Sequence, residues 1–251
     1  MEAFIKNLAK GAGAILREGF GKNSKVKFKQ GTWDPVTKYD LASNKFLVER
    51  IRKQFPRHGL LTEESGEIKK ARSFWIIDPM DGTRSFSRCI QFFCVNISFV
   101  HNDEILYAAT YGPMQDELFF AAKGKRTILN GRVVSVSREQ NLKFAYSTQD
   151  CNGSAGRQKD RRILKEFTLK HKIWDVNIPS GALTLAYTSA GRFDFAANIS
   201  GYPWDYAAGY LLIKGAGGKV SDFEGGPYHW KSKTIVAANP VLHKKIIRGL
   251  R

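Results

Sequence analysis

Residues 75–83 read Trp75-Ile76-Ile77-Asp78-Pro79-Met80-Asp81-Gly82-Thr83, an apolar run that breaks into two carboxylates, a glycine and a hydroxyl. The apolar half has the composition of a buried strand, and the polar half has the composition of a site. Asp78 and Asp81 stand three residues apart across a proline turn, so their carboxylates can converge, and hard cations such as Mg2+ favour oxygen ligands of this kind. Gly82 permits close approach of backbone to a ligand. If Thr83 opens a helix, the helix presents unpaired N–H groups to an anion such as phosphate. Taken alone, the same residues also suit a strand end with a turn and an N-cap, where Asp and Thr are ordinary.

Three more acidic stretches decide between these readings. They are Asp34-Pro35-Val36-Thr37-Lys38-Tyr39-Asp40, Leu60-Leu61-Thr62-Glu63-Glu64-Ser65-Gly66 and Trp204-Asp205-Tyr206-Ala207-Ala208-Gly209. Gathering Glu63, Asp78, Asp81 and Asp205 from such distant positions costs several pKa units of mutual repulsion. A divalent cluster removes that cost, and two ions about 3.5 to 4 Å apart suit an in-line phosphoryl displacement. Glu63 and Glu64 would repel if both faced one spot, so one is expected at metal and the other at a basic partner.

The four stretches occur in one order over residues 34 to 209 and resemble the signatures of the inositol monophosphatase superfamily: D-x-V-T-x-x-D, an acidic pair, D-P-x-D-G-T and W-D-x-A-A-G. Members are Mg2+-dependent, lithium-sensitive phosphatases. The resemblance implies a layered αβαβα sandwich and two or three Mg2+ ions per site, held by Glu63, Asp78, Asp81, Asp205 and the Met80 carbonyl. It implies activation of a water by Glu63 and Thr83, with Asp40 holding the threonine or a metal-bound water. Substrate contacts fall on Asp81, Gly82, Thr83, Ser180, Gly181, Asn198 and Asp205, and Lys29 matches a lysine of the family's mobile arm. A homodimer is also implied.

The alcohol side of the substrate is less defined. Pro179-Ser180-Gly181-Ala182 matches the family's inositol-binding segment loosely, with proline in place of the usual glycine. Asn198, seven residues before Asp205, stands where inositol enzymes carry glutamate; asparagine keeps one acceptor and gains donors. The implied substrate is a small sugar or polyol phosphate, inositol 1-phosphate among them. Relatives hydrolyse histidinol phosphate, fructose 1,6-bisphosphate or 3'-phosphoadenosine 5'-phosphate.

The rest of the chain reads as α+β followed by α/β, in two packed halves at 1–138 and 139–251. A helix is expected over 2–18, a hairpin arm over 26–34 and a helix from Asp40 as N-cap to Phe55. A strand at Leu60-Leu61 and strands at 92–100, 104–111 and 116–122 imply an antiparallel meander, and Asn130-Gly131 a hairpin turn. Beyond Lys143, strands at 144–147, 173–176 and 193–196 alternate with helices at 162–170 and 180–190. A helix from Trp204-Asp205, a strand at 235–238 and a helix from Pro240 complete the chain.

No apolar run approaches a membrane span, and the N-terminus lacks a secretory pattern, so a cytoplasmic protein is expected. Cys89, Cys94 and Cys151 form no metal spacing and read as reduced and structural, and the five histidines as scattered surface residues. The formal net charge of +17 raises an alternative from another class, a nucleic-acid or transcription-complex binding protein on a phosphatase scaffold. No nucleic-acid module accompanies that charge, and a solvated basic surface is the favoured reading.

Overall fold

Ile5, Leu8, Ala9, Ala12 and Leu16 recur at helical spacing, and the first helix, α1 (Glu2–Gly19), buries all five on one face. The structure, a computed structural model, describes residues 1–22, 26–29, 35–67, 71–150 and 158–251. Asp34, Cys151 and most of the expected hairpin arm lie outside these residues; the described part of the arm pairs β1 (Lys27–Phe28) with β2 (Pro35–Val36). The next helix, α2 (Lys38–Gln54), is capped by Thr37 and not by Asp40. The Thr37 hydroxyl accepts from Tyr39 N–H at 3.1 Å, and Asp40, one turn in, accepts from Thr37 N–H at 2.7 Å, a reciprocal capping box.

The first sheet contains β3 (Gly59–Thr62), β4 (Gly66–Glu67), β5 (Ser73–Asp81), and, after the short helix α3 (Thr83–Ser87), β6 (Cys94–His101), β7 (Glu104–Gly112), β8 (Glu117–Ala122), β9 (Ile128–Leu129) and β10 (Arg132–Val133). Its order is β10-β9-β8-β7-β6-β5-β3-β4. The expected meander is present from β5 to β10, but β3 and β5 pair in parallel. That pairing brings the carboxyl ends of both strands to one edge, where Glu63 N–H donates to Ile77 C=O at 3.2 Å, beside Asp78.

A second sheet is made of β11 (Tyr146–Asp150), β12 (Trp174–Asp175), β13 (Phe195–Asn198), β14 (Lys219–Ser221) and β15 (Ile235–Ala238), interleaved with α4 (Gln158–His171), α5 (Gly181–Ser189), α6 (Pro203–Gly215) and α7 (Pro240–Leu250). Its order is β12-β11-β13-β15-β14, with β12, β11 and β13 parallel and β15 antiparallel to both neighbours. Strict alternation thus breaks down at β14, too short and polar to be read from sequence. The strand expected at 144–147 starts at Tyr146, because Asn141 caps a single tight turn through Lys143 N–H at 3.1 Å and leaves Phe144 exposed.

Four apolar clusters stack these elements into five layers. One holds α1 and α2 against the first sheet, and a second packs α5 and α6 on that sheet's other face. A third joins the same two helices to the second sheet, whose outer face is covered by α4 and α7. The αβαβα sandwich is therefore present. His243 departs from the expected surface placement: it is buried and hydrogen-bonds Ser221 at 2.9 Å, and burial pushes its imidazole down to about 4. Among the described residues, no helix is long and apolar enough to cross a membrane.

The middle layer depends on close helix contact. A Cβ on Gly209 of α6 would stand 2.5 Å from Leu185 Cδ1 and 2.6 Å from Leu185 Cβ, so only glycine fits. Gly209→Val is expected to lower stability by about 1–3 kcal/mol through overpacking, with Gly209→Ala milder. Urea unfolding checks this, and unchanged midpoints in both variants would refute it.

Candidate active site

Proline cannot donate to a ladder, and β5 breaks register at Pro79: Asp78 faces Asn96 and Asp81 faces Cys94, so three steps on β5 match two on β6. In a regular strand, residues three apart point to opposite faces. The extra residue returns Asp81 to the side of Asp78. The bulge is held from two sides, since Asp78 Oδ1 accepts from Met80 N–H at 2.9 Å and Ser43 donates to Pro79 C=O at 2.8 Å.

Asp205 joins them from the first turn of α6, whose entry is fixed by Tyr202 N–H donating to Asp205 Oδ2 at 2.6 Å. Asp78, Asp81 and Asp205 each offer an oxygen, all within 4.8 Å of one another. With Glu63, Met80, Gly82 and Thr83 they line a cavity of about 250 Å³ that also meets Arg84, Tyr202 and Trp204. Seven of the sequence-derived residues therefore come together.

Glu63 lines the cavity but stands outside the three-carboxylate group. Lys29 bridges Glu63 Oε1 at 2.9 Å and Glu64 Oε1 at 2.8 Å, so the expected division between a metal-facing and a base-facing glutamate is replaced by one shared ammonium. Burial alone would lower the Lys29 ammonium, but the charges of Glu63 and Glu64 hold it above the ordinary lysine value. For Glu64, burial outweighs the ion pair and pushes the carboxyl up to about 7. Asp78 is driven well above the usual carboxylate range, first by burial and then by Glu63, Asp81 and Asp205.

Gly82 takes φ 97°, and a Cβ there would stand 2.7 Å from the Phe92 carbonyl oxygen, so the turn into α3 requires glycine. Thr83 comes next, nearly buried, and donates its hydroxyl hydrogen to Asp40 Oδ1 at 2.7 Å; Met80 C=O lies at 3.1 Å. Asp40 also accepts from Thr37 N–H at 2.7 Å and from Thr37 Oγ1 at 2.6 Å. Burial pushes Asp40 up to about 6 against these hydrogen bonds.

The expected alcohol-binding residues are placed differently from the carboxylates. Ser180 caps α5 and donates to Asp81 Oδ2 at 2.8 Å, beside Ala182 N–H at 2.6 Å, so the start of α5 positions Asp81. Asn198 is wholly buried behind this turn, its amide nitrogen 3.5 Å from where a Cβ of Gly181 would stand. Neither Ser180, Gly181 nor Asn198 is in the cavity wall. What sequence reasoning passed over is the mouth. Tyr202, 62 % exposed, stacks on Trp204 with centroids 4.9 Å apart and planes 11° apart. Trp204 C=O in turn accepts from Asn96 at 2.6 Å, and Thr110 donates to Asn96 at 2.6 Å. The readable signal was Asn96 itself, an amide in a largely apolar strand.

The donor set is all oxygen, and Asp78 is raised first by burial and then by its crowded neighbours, both of which fit a hard divalent cation. Five layers with this cluster between the first sheet and the central helices define an αβαβα protein with a candidate metal site. The chain belongs to the inositol monophosphatase family, whose profile matches residues 1–251. It is 35% identical over 247 residues to Nus factor SuhB of Escherichia coli, covering 97% of this chain and 92% of that protein. It is 31% identical over 247 residues to fructose-1,6-bisphosphatase/inositol-1-monophosphatase of Thermotoga maritima, covering 98% and 93%. The crystal structure of extragenic suppressor protein suhB from Bartonella henselae superposes with a TM-score of 0.92 at 31% identity, over 99% of this chain and 97% of that one.

A ligand that binds only the native state at 100 times its Kd adds about 2.7 kcal/mol of stability. Saturating Mg2+ is accordingly expected to raise the melting temperature, with reversal by EDTA and loss of the shift in Asp78→Asn. Equal shifts in both proteins, read by calorimetry, would exclude the cluster as the binding site.

Proposed function

We propose that this protein is a Mg2+-dependent phosphomonoesterase acting on a small sugar or polyol phosphate, with inositol 1-phosphate among its substrates. The observation that carries this reading is the Thr83–Asp40 hydrogen bond at 2.7 Å beside three carboxylates within 4.8 Å. Asp78, Asp81, Asp205, Glu63 and the Met80 carbonyl would hold two or three Mg2+ ions. When bound, such ions neutralise phosphoryl oxygens and activate water.

The chain's own residues supply position and proton handling. Thr83 gives its hydrogen to Asp40, which leaves the Thr83 oxygen as an acceptor that orients the attacking water. Lys29 holds one oxygen of Glu63 and leaves the second to receive that water's proton. The backbone of Gly82 and Thr83 holds the phosphate, Asp81 and Asp205 face it, and Ser180 fixes Asp81. Gly181 and Asn198 act from behind by shaping the turn, while Tyr202, Trp204 and Arg84 meet the alcohol. Lithium sensitivity, a homodimer and a cytoplasmic location complete the proposal from family membership.

A second reading, binding of a nucleic acid or transcription complex, is favoured by one observation. Helix α7 and its C-cap expose Lys244, Lys245, Arg248 and Arg251 with no acidic residue between Pro240 and Leu250, in a chain of net charge +17 related to Nus factor SuhB. Gel shifts across a salt series, run beside phosphate release, separate the two.

Phosphate release from inositol 1-phosphate is expected to need Mg2+, to stop in EDTA and to fall at least about 100-fold in Asp81→Asn, with millimolar lithium inhibiting the wild type. Full activity in the variant or in chelator refutes the assignment. Specificity is best tested at the mouth, because glutamate at position 198 would place a charge in the core. Across inositol 1-phosphate, histidinol phosphate, fructose 1,6-bisphosphate and 3'-phosphoadenosine 5'-phosphate, Tyr202→Ala is expected to change relative kcat/KM several-fold. An unchanged ranking excludes Tyr202 as a substrate contact.

A further inference from the structure

The far end of α6 from Asp205 borders a second cavity of about 550 Å³, larger than the one at the carboxylates and within the roughly 300–1,000 Å³ of small-ligand sites. Its floor is apolar, formed by Ile105, Ala122 and Leu211. One wall is aromatic: Tyr210 and Tyr228 stack with centroids 4.9 Å apart, and the Trp230 indole N–H donates to Asp103 at 3.1 Å, which fixes that ring beside them. The rim is basic, with Lys123, Lys125, Arg126 and Lys214.

The charges of the lining are unequally matched. Of its two carboxylates, Asp103 accepts from Trp230 and Glu104 pairs with Lys123 at 2.5 Å. Among the described residues Lys125, Arg126 and Lys214 meet no carboxylate. Arg126 is steadied by neutral oxygens, donating to Ser135 Oγ at 2.7 Å, and so keeps its full charge for a ligand. Three uncompensated cations over an apolar and aromatic floor suit an anion joined to a flat ring, since guanidinium and ammonium groups take phosphate while aromatic side chains take a base.

We propose that this cavity is a binding site for a nucleoside monophosphate, separate from the carboxylate pocket. Phosphate meets Lys125, Arg126 and Lys214, and the base lies against Tyr210, Tyr228 and Trp230. The inference does not depend on which ester is hydrolysed at Asp78, Asp81 and Asp205. No residue lines both cavities, and Tyr228, which lines this one, keeps a buried hydroxyl with no hydrogen-bond partner among the described residues.

The test uses the full chain with Mg2+ and the methylene phosphonate analogue of AMP, whose carbon–phosphorus bond a phosphatase cannot cleave. Calorimetric titration is run on the wild type and on Asp78→Asn, which impairs the carboxylate pocket. Binding is expected to persist in Asp78→Asn, with adenosine at least tenfold weaker. Lys125→Glu with Lys214→Glu, both at exposed positions, is expected to weaken the analogue at least tenfold and to leave Mg2+-dependent phosphate release unchanged. Loss of binding in Asp78→Asn, equal affinity in the double variant, or no binding at all would each overturn the proposal.

Discussion

Burial of one carboxylate, Asp78, among three that are only partly covered is the constraint that shapes this molecule. Asp78 is almost inaccessible and has Asp81, Asp205 and Glu63 for neighbours. A charge removed from water is expensive unless it is paired or hydrogen-bonded. The contacts nearby answer that cost: the Met80 amide on Asp78, the Ser180 hydroxyl and Ala182 amide on Asp81, the Tyr202 amide on Asp205, and the Lys29 ammonium on Glu63. These contacts aim the oxygens and spread their charge, but they supply one full positive charge against several negative ones. The remainder is what a divalent cation would cancel.

The cluster depends on the layering because it draws on the first sheet and on a helix of the central layer. Glu63, Asp78 and Asp81 come from parallel strands of the first sheet, while Asp205 opens a helix of the central layer. Helices α5 and α6 pack on the first sheet through one set of apolar residues and on the second through another. Gly209 sets their separation. The site is therefore as accurate as the packing between halves, and a core change well away from any carboxylate reaches the chemistry through α6.

Much of this was legible in the sequence. Short motifs with two carboxylates, a proline and a glycine report local geometry, so residues 78–83 and 204–209 announced a site before any fold was known. What the sequence hid depends on contacts made at long range. From local spacing Asp40 looked like a cap, whereas the cap is Thr37; the contact of Asp40 with Thr83, 43 residues on, was implied only by the family resemblance. The parallel pairing of β3 with β5 arises from topology, not composition. Asn198 was read by alignment to a family position, and its burial behind Gly181 could be seen only once β13 was set against α5. Tyr202 escaped notice because an exposed tyrosine next to proline is ordinary in any loop.

Lys29 gives the site a further property. The ammonium it places between Glu63 and Glu64 is a resident cation on a tether, anchored by the two-stranded pairing of Lys27 with Val36 and Phe28 with Pro35. An ion that engaged Glu63 would enter by exchange with an occupant that remains covalently attached and stays at high effective concentration. The affinity measured at Glu63 is then a difference between two cations, and it carries within it the stability of a small ribbon on the surface. Substitutions in that ribbon other than at Lys29 would then change how readily such an ion leaves.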